Sequence, residues 1–251
     1  MIDLRIPKRS TTIRIAATVI IAICLYFYGR PIGFMLLTKW EIRNKPELWI
    51  VPTPLPTGAS EPSPGRTFSY LGYDFESPWA EVKLEKKYQS FATVYFSDGE
   101  LISISTGPDL TGAKQEASTE RRTALQDTLG AVVMESNYRL RAAILYSTPR
   151  DLRLFSSPRE MVAKSIFLVL KPIFLLNAKT GLYSFQTKWL RGFEKGTPGQ
   201  ANPVAIDAFD EKDREIDILI GTQLRTNGTV SQADVNRVLF SLHPAAAAPT
   251  E

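Results

Sequence analysis

The order of pattern signals along this chain predicts an α+β fold, an antiparallel sheet packed with helices and preceded by one N-terminal transmembrane helix. Three observations carry that prediction. Hairpin-like alternation lies on both sides of a helical middle section. No glycine-rich turn joins a strand to a helix, which argues against a doubly wound parallel sheet. Residues 15–28 read IAATVIIAICLYFY, without a single charge.

The apolar run sets the first three segments. Crossing hydrocarbon takes ~20 helical residues, so the expected span is 11–30, behind a basic flank at 1–10. Arg5, Lys8, Arg9, Arg14 and Arg30 form the membrane-anchor flank, with Arg14 and Arg30 snorkelling to the interfaces and Tyr26 and Tyr28 in the aromatic belt. A cleaved signal peptide fits less well, because Cys24 to Tyr28 occupy the place of a small-x-small cleavage site. Bulky Ile23 before Cys24 likewise disfavours lipidation. Basic residues follow the span too, at Lys39, Arg43 and Lys45. The undiluted N-terminal group favours a cytoplasmic N-terminus in the cell (inner) membrane and an extracytoplasmic C-terminal domain. A cytoplasmic domain is the alternative.

Charge excludes a function class. Residues 1–30 hold five basic residues against Asp3, and the remainder balances at 25 of each sign. The sequence pI near 9.1 therefore belongs to the N-terminus, and no nucleic-acid face is expected. One cysteine and one histidine exclude disulfide frameworks and the usual thiolate or multi-histidine metal centres.

Residues 31–51, rich in apolar residues with Trp40 and Trp49, are expected to form a short juxtamembrane helix near the headgroups. Residues 52–66 read as a proline-rich linker, a spacer reaching up to ~40 Å in polyproline form. The globular domain is expected over 67–244, before a disordered tail at 245–251.

Within it, Phe68–Trp79 reads as one half-buried strand. Phe91–Phe96 and Leu101–Ser105 flank Asp98-Gly99, a strong hairpin signal whose two central positions both favour positive φ. Helices are expected at Thr119–Leu129, closed by Gly130, and at Asn137–Ser147. Ser157-Pro158-Arg159-Glu160 is a helix start, with Pro172 kinking or ending the helix. That helix is apolar on nearly all sides, yet at sixteen residues from Met161 to Leu176, with two lysines inside, it is short for a second span. Burial under a sheet is the better reading, and a membrane-surface helix the other. Strands follow at Leu182–Leu190 and around Phe193, with Gly192 and Gly196 marking a bend. Val204–Phe209 and Arg214–Ile220 flank a charged turn, with Ile216, Ile218 and Ile220 on one face and Asp217 on the other. Ser231 and Asp234 open a last helix. The chain then frays.

Two resemblances add to this. Trp40-Glu41-Ile42-Arg43, the stretch from Pro46 to Pro54, Phe185-Gln186-Thr187 and Arg191-Gly192-Phe193 look like a set of uncharacterised bacterial single-pass membrane proteins, which implies the topology above and no activity. Gly72-Tyr73-Asp74-Phe75-Glu76-Ser77-Pro78-Trp79 with the following hairpin resembles PsbP-like αβα sandwiches. That resemblance implies a small antiparallel sheet between helices and an adaptor or binding role.

No catalytic, cofactor or metal residues are assigned, and no cofactor is expected. His243 reads as a helix-end residue. The six carboxylates from Asp207 to Asp217 fail calcium-loop spacing, since Lys212 and Arg214 fall at ligand positions, and read as a solvated turn. Trp79, Trp189, Tyr73 and Tyr183 are candidates for an aromatic binding surface, although strand aromatics more often belong to a core. The expectation is therefore a membrane-anchored, non-catalytic envelope protein. Its partners are the lipid bilayer and either an envelope protein or a small ligand. The alternative is a carboxylate-dependent hydrolase of envelope glycans using Glu76, Asp98 and Glu100, which needs two such groups about 5–10 Å apart.

Overall fold

The structure, a computed structural model, describes residues 29–56, 65–106, 127–130, 135–153, 156–175, 181–199, 202–223 and 228–245. Residues 11–28 of the span expected at 11–30 and the flank residues Arg5, Lys8, Arg9 and Arg14 lie outside the described residues. So do most of the helix expected at Thr119–Leu129 and the tail from residue 246. Among the described residues no helix is long and apolar enough to cross a membrane.

The fold is α+β. A large mixed sheet runs in the order β1-β7-β8-β9-β10-β6-β5-β4, and a small antiparallel sheet in the order β11-β3-β2. In chain order the strands are β1 (Thr53–Pro54), β2 (Arg66–Tyr70), β3 (Tyr73–Ser77), β4 (Val82–Lys87), β5 (Phe91–Phe96), β6 (Glu100–Thr106), β7 (Leu182–Gln186), β8 (Leu190–Lys195), β9 (Val204–Asp210), β10 (Glu215–Thr222) and β11 (His243–Pro244). The helices are α1 (residues 29–42), α2 (Asn137–Tyr146), α3 (Pro158–Phe174) and α4 (Gln232–Ser241). One 3-10 turn, Pro46–Trp49, follows α1, and another, Pro149–Asp151, follows α2.

The alternation of β10 divides the molecule into layers. Ile216, Ile218 and Ile220 are at most 1% exposed and join Ile102, Ile104, Val204 and Ile206 on one face. Burying each isoleucine contributes about 2 kcal/mol. The small sheet covers this face with Phe68, Tyr70 and Phe75, and α4 adds Val235, Val238 and Leu239. On the opposite face Phe193 and Phe209 meet Leu145 of α2 and Leu175 just beyond α3. The apolar α3 is buried, as expected, but mainly against other helices: Met161 and Leu168 meet Met35 and Ile42 of α1 and Leu48, while Ala163 and Phe167 meet Ile144 of α2.

Several elements differ from the sequence reading. Phe68–Trp79 is a hairpin, because Leu71 (φ 55°) and Gly72 (φ 81°) form a tight turn; a bulky residue with positive φ carries no turn signature. At the β5–β6 turn only Gly99 has positive φ, and its N–H donates to Phe96 O at 3.1 Å. Gly192 is inside β8, where an added Cβ would collide with the Asp207 carbonyl and the Phe185 ring. It permits close packing and makes no bend. Gly196 (φ 106°) does end the strand. Pro172 lies within α3, which continues to Phe174.

The stretch read as a spacer begins as sheet. Thr53 and Pro54 pair in parallel with Tyr183 and Ser184, the Leu55 N–H donates to Ser184 O, and Pro56 O accepts from Asn236 Nδ2 at 2.9 Å. The chain after α4 does not simply fray either, since β11 pairs with β3 and the Ala245 N–H donates to Gly72 O.

Candidate functional site

The acidic β9–β10 hairpin is the most organised polar region among the described residues. It is not a solvated turn. Asp207 and Asp210 are each 4% exposed. Strand alternation places Asp207 on the helix-covered face of the sheet, where Lys195 Nζ approaches its carboxylate at 2.6 Å. Arg141, one helical turn above the capped start of α2, donates to both Asp207 and Glu215. Its guanidinium also lies 4.2 Å from the centre of the Phe174 ring and 5.9 Å from that of Phe209.

Four of the remaining acids are held by their surroundings, and Glu211 is exposed in the turn. Asp210 accepts from the Lys212 and Arg214 N–H groups, from Arg214 Nε at 2.7 Å and from the Tyr73 hydroxyl at 2.9 Å. Burial pushes this carboxyl up, but those donors outweigh it and hold it below the usual range. Asp213 (φ 62°) reaches the N-terminus of α2 and accepts from Ser136 Oγ and from the N–H groups of Asn137 and Tyr138. A turn carboxylate thereby caps a helix from another part of the chain. Burial raises Glu215, against the pull of Arg141. Burial and then the Asp207 charge raise Asp217, against Arg141 and Lys195.

Beside this network lies a cleft of about 310 Å³, walled by the β7–β8 turn and the start of the β9–β10 turn. Lys188, Trp189 and Arg191 line it together with Phe209 and Asp210. Lys188 Nζ stands 4.4 Å from the centre of the Trp189 ring, and Arg191 covers Tyr138 and pairs with Asp213 at 3.6 Å. Aromatic and cationic groups sit side by side; Asp210 and Asp213 are engaged by their donors, while Glu211 lines the cleft as an exposed carboxylate. Of the four expected surface aromatics only Trp189 lines this cleft. Tyr73 is core, Trp79 packs on Phe96 and Tyr183 packs against the large cluster.

The other candidate acids do not converge. Glu76 pairs with Arg237 at 3.5 Å on the small sheet, Asp98 is exposed in its turn, and Glu100 is buried, accepting from the Thr229 N–H. These are three separate environments. His243 is exposed at the edge of the small sheet, and Arg30 is exposed in the first described turn of α1. Among the described residues no group of His, Cys, Asp or Glu is arranged to hold a metal ion.

Sequence reasoning gave no role to two fully buried ionisable groups. Glu194 on β8 is fully buried on the face covered by α4, with Oε1 accepting from Gln232 Nε2 at 2.9 Å and Oε2 without a partner. Burial lifts its pKa to about 7 from 4.5, against the bond from Gln232. The folded chain therefore holds a proton there that the unfolded chain has lost between pH 4.5 and 7. Stability from this group is complete below pH 4.5 and lost as pH rises through 7, a change of about 3 kcal/mol. Glu194→Gln is expected to flatten that slope, gaining about 2 kcal/mol at pH 8.5 and little at pH 4.5; denaturant titrations at the two pH values check it. The second group is Lys171, which is 0% exposed.

No protein-family model, no curated protein and no solved structure matches the chain.

Proposed function

We propose that the chain is a single-pass inner-membrane protein in which residues 11–30 anchor an extracytoplasmic α+β domain that works by binding and not by catalysis. The observation that carries this reading is the outward face of α1. Directly after the uncharged run 15–28, it exposes Phe34, Leu36, Leu37 and Trp40 opposite the side buried in the domain. The basic flank of Arg5, Lys8, Arg9 and Arg14 supports a cytoplasmic N-terminus.

The binding role is supported by the cleft of Lys188, Trp189 and Arg191. Stacked aromatic and cationic side chains suit an anionic group on an envelope protein or small ligand. The glycan-hydrolase alternative lacks such support, because Glu76, Asp98 and Glu100 have separate surroundings. A reporter enzyme fused after Glu251 and active only in the translocated compartment is expected to be active. An inactive translocation reporter paired with an active cytoplasmic one would overturn the topology, and turnover of envelope glycans by the purified chain would overturn the binding role.

A further inference from the structure

We propose that the domain is seated directly on the bilayer surface through α1 and the Pro46–Trp49 turn, with the lipid interface as the partner of their exposed apolar face. This rests on the membrane-anchor reading and adds to it where the domain sits. It replaces a domain swinging on a long proline spacer with one fixed at the headgroups.

At 100° per residue, Met35, Thr38 and Ile42 fall on one side of α1, and all three are buried against the domain. Phe34, Leu36, Leu37 and Trp40 occupy the opposite arc and are 38%, 52%, 59% and 63% exposed. Arg30 and Glu41, the latter paired with Lys45, share this arc, which makes the exposed side amphipathic, and its four large apolar side chains call for a second apolar partner. Val169 and Ile173 of α3, which meets α1 through Leu168 and Met35, are exposed as well.

Leu48 is 0% exposed within the cluster that joins α1 to α3. The Lys171 ammonium donates to Leu48 O at 3.1 Å, Ile50 O at 2.7 Å and Ser147 O at 2.7 Å. All three of its protons are used to bind the segment after α1 to the end of α2 and to α3. Three residues later β1 enters the large sheet. Wherever α1 goes, the domain follows.

The surroundings of the face fit a lipid occupant. The chain entering α1 comes straight from the run at 15–28. Trp40 and Trp49 are exposed, and each carries a guanidinium over its ring, Arg43 at 5.3 Å and Arg150 at 5.5 Å. An indole with an adjacent cation matches the headgroup region, where amphipathic rings settle and basic side chains meet anionic lipid. Arg30, Lys39 and Lys45 extend the basic surroundings.

The test uses the full chain in vesicles of zwitterionic and anionic phospholipid, with and without bromine on the acyl chains near the headgroup. Single-tryptophan versions retain Trp40, Trp49 or Trp79, with phenylalanine at the other positions. Emission from Trp40 and Trp49 is expected to fall by about half or more in brominated vesicles. Trp79, packed on Phe96 across the large sheet, is expected to be unaffected. Leu37→Asp in the Trp49 version is expected to relieve quenching while the chain stays in the vesicles. A chain that enters the vesicles but leaves Trp49 as unquenched as Trp79 overturns the docking alone. Unquenched Trp49 with concentration-dependent self-association assigns the face to a second copy and also overturns it. A chain that never enters the vesicles overturns the anchor reading itself, and the docking with it.

Discussion

Replacing Arg141 by methionine is expected to destabilise the fold by about 4 kcal/mol, the range seen when one member of a buried ion network is removed. Methionine keeps much of the stem volume against Phe174 and Phe209, so the loss reports the guanidinium and not a cavity. Glu215 would be left without its cation, and Asp207 would retain only Lys195. Burial already raises Glu215, and Arg141 is the group that opposes this. In the variant its folded pKa rises further above the unfolded value. The loss is therefore smallest at acidic pH, where Glu215 is protonated in both states, and grows as pH rises. Urea titrations of wild type and Arg141→Met in mild detergent at pH 5 and pH 8 measure this. Equal losses at both values would show that the ion pairs contribute little and that packing of the stem dominates.

The second large effect is expected at Lys171. Burial pulls its pKa down to about 8, against the nearby Asp151 charge, so it remains an ammonium at neutral pH. Lys171→Met removes a buried charge, which helps, but strands three carbonyls that cost about 1–3 kcal/mol each when unsatisfied. A net loss of about 3 kcal/mol is expected, concentrated where those carbonyls lie. The segment 29–50 should then open without global unfolding. Hydrogen exchange should quicken at Leu48 and Ile50 in the variant while β9 and β10 stay protected. Unchanged exchange there would mean that Leu48 and its apolar neighbours hold the segment unaided.

What the sequence disclosed follows physical lines. Asp98-Gly99 marked its hairpin because glycine supplies the positive φ that the turn requires. Ser231 with Asp234 marked α4 because the capping box is local, and both of its bonds form. The isoleucines of β10 were legible because one face is buried and the period is two. By contrast, β1 is two residues whose partner, Tyr183, lies far along the chain, and a pairing of that range leaves no local pattern. β4, with Lys83, Glu85, Lys86 and Lys87, shows almost no apolar alternation because it is an exposed edge.

The site was less legible than the fold for a related reason. The density of acids from Asp207 to Asp217 was visible, but the cations that bury them come from α2 and β8. A carboxylate reads as solvated until its partner is known. Lys171 read only as one of two lysines inside an apolar helix, because its three acceptors are main-chain carbonyls without side-chain identity. Trp189 was among the aromatics singled out, and Arg191 beside it was not, since only the antiparallel pairing of β7 and β8 makes that turn one wall of a cleft.

The anchor is the claim on which the proposed role depends, and alkaline carbonate extraction of cell membranes tests it most directly. The full chain is expected to stay in the membrane pellet, and a chain lacking residues 11–28, left with only the surface contacts of α1, is expected to be released. Release of the full chain into the supernatant would contradict the account.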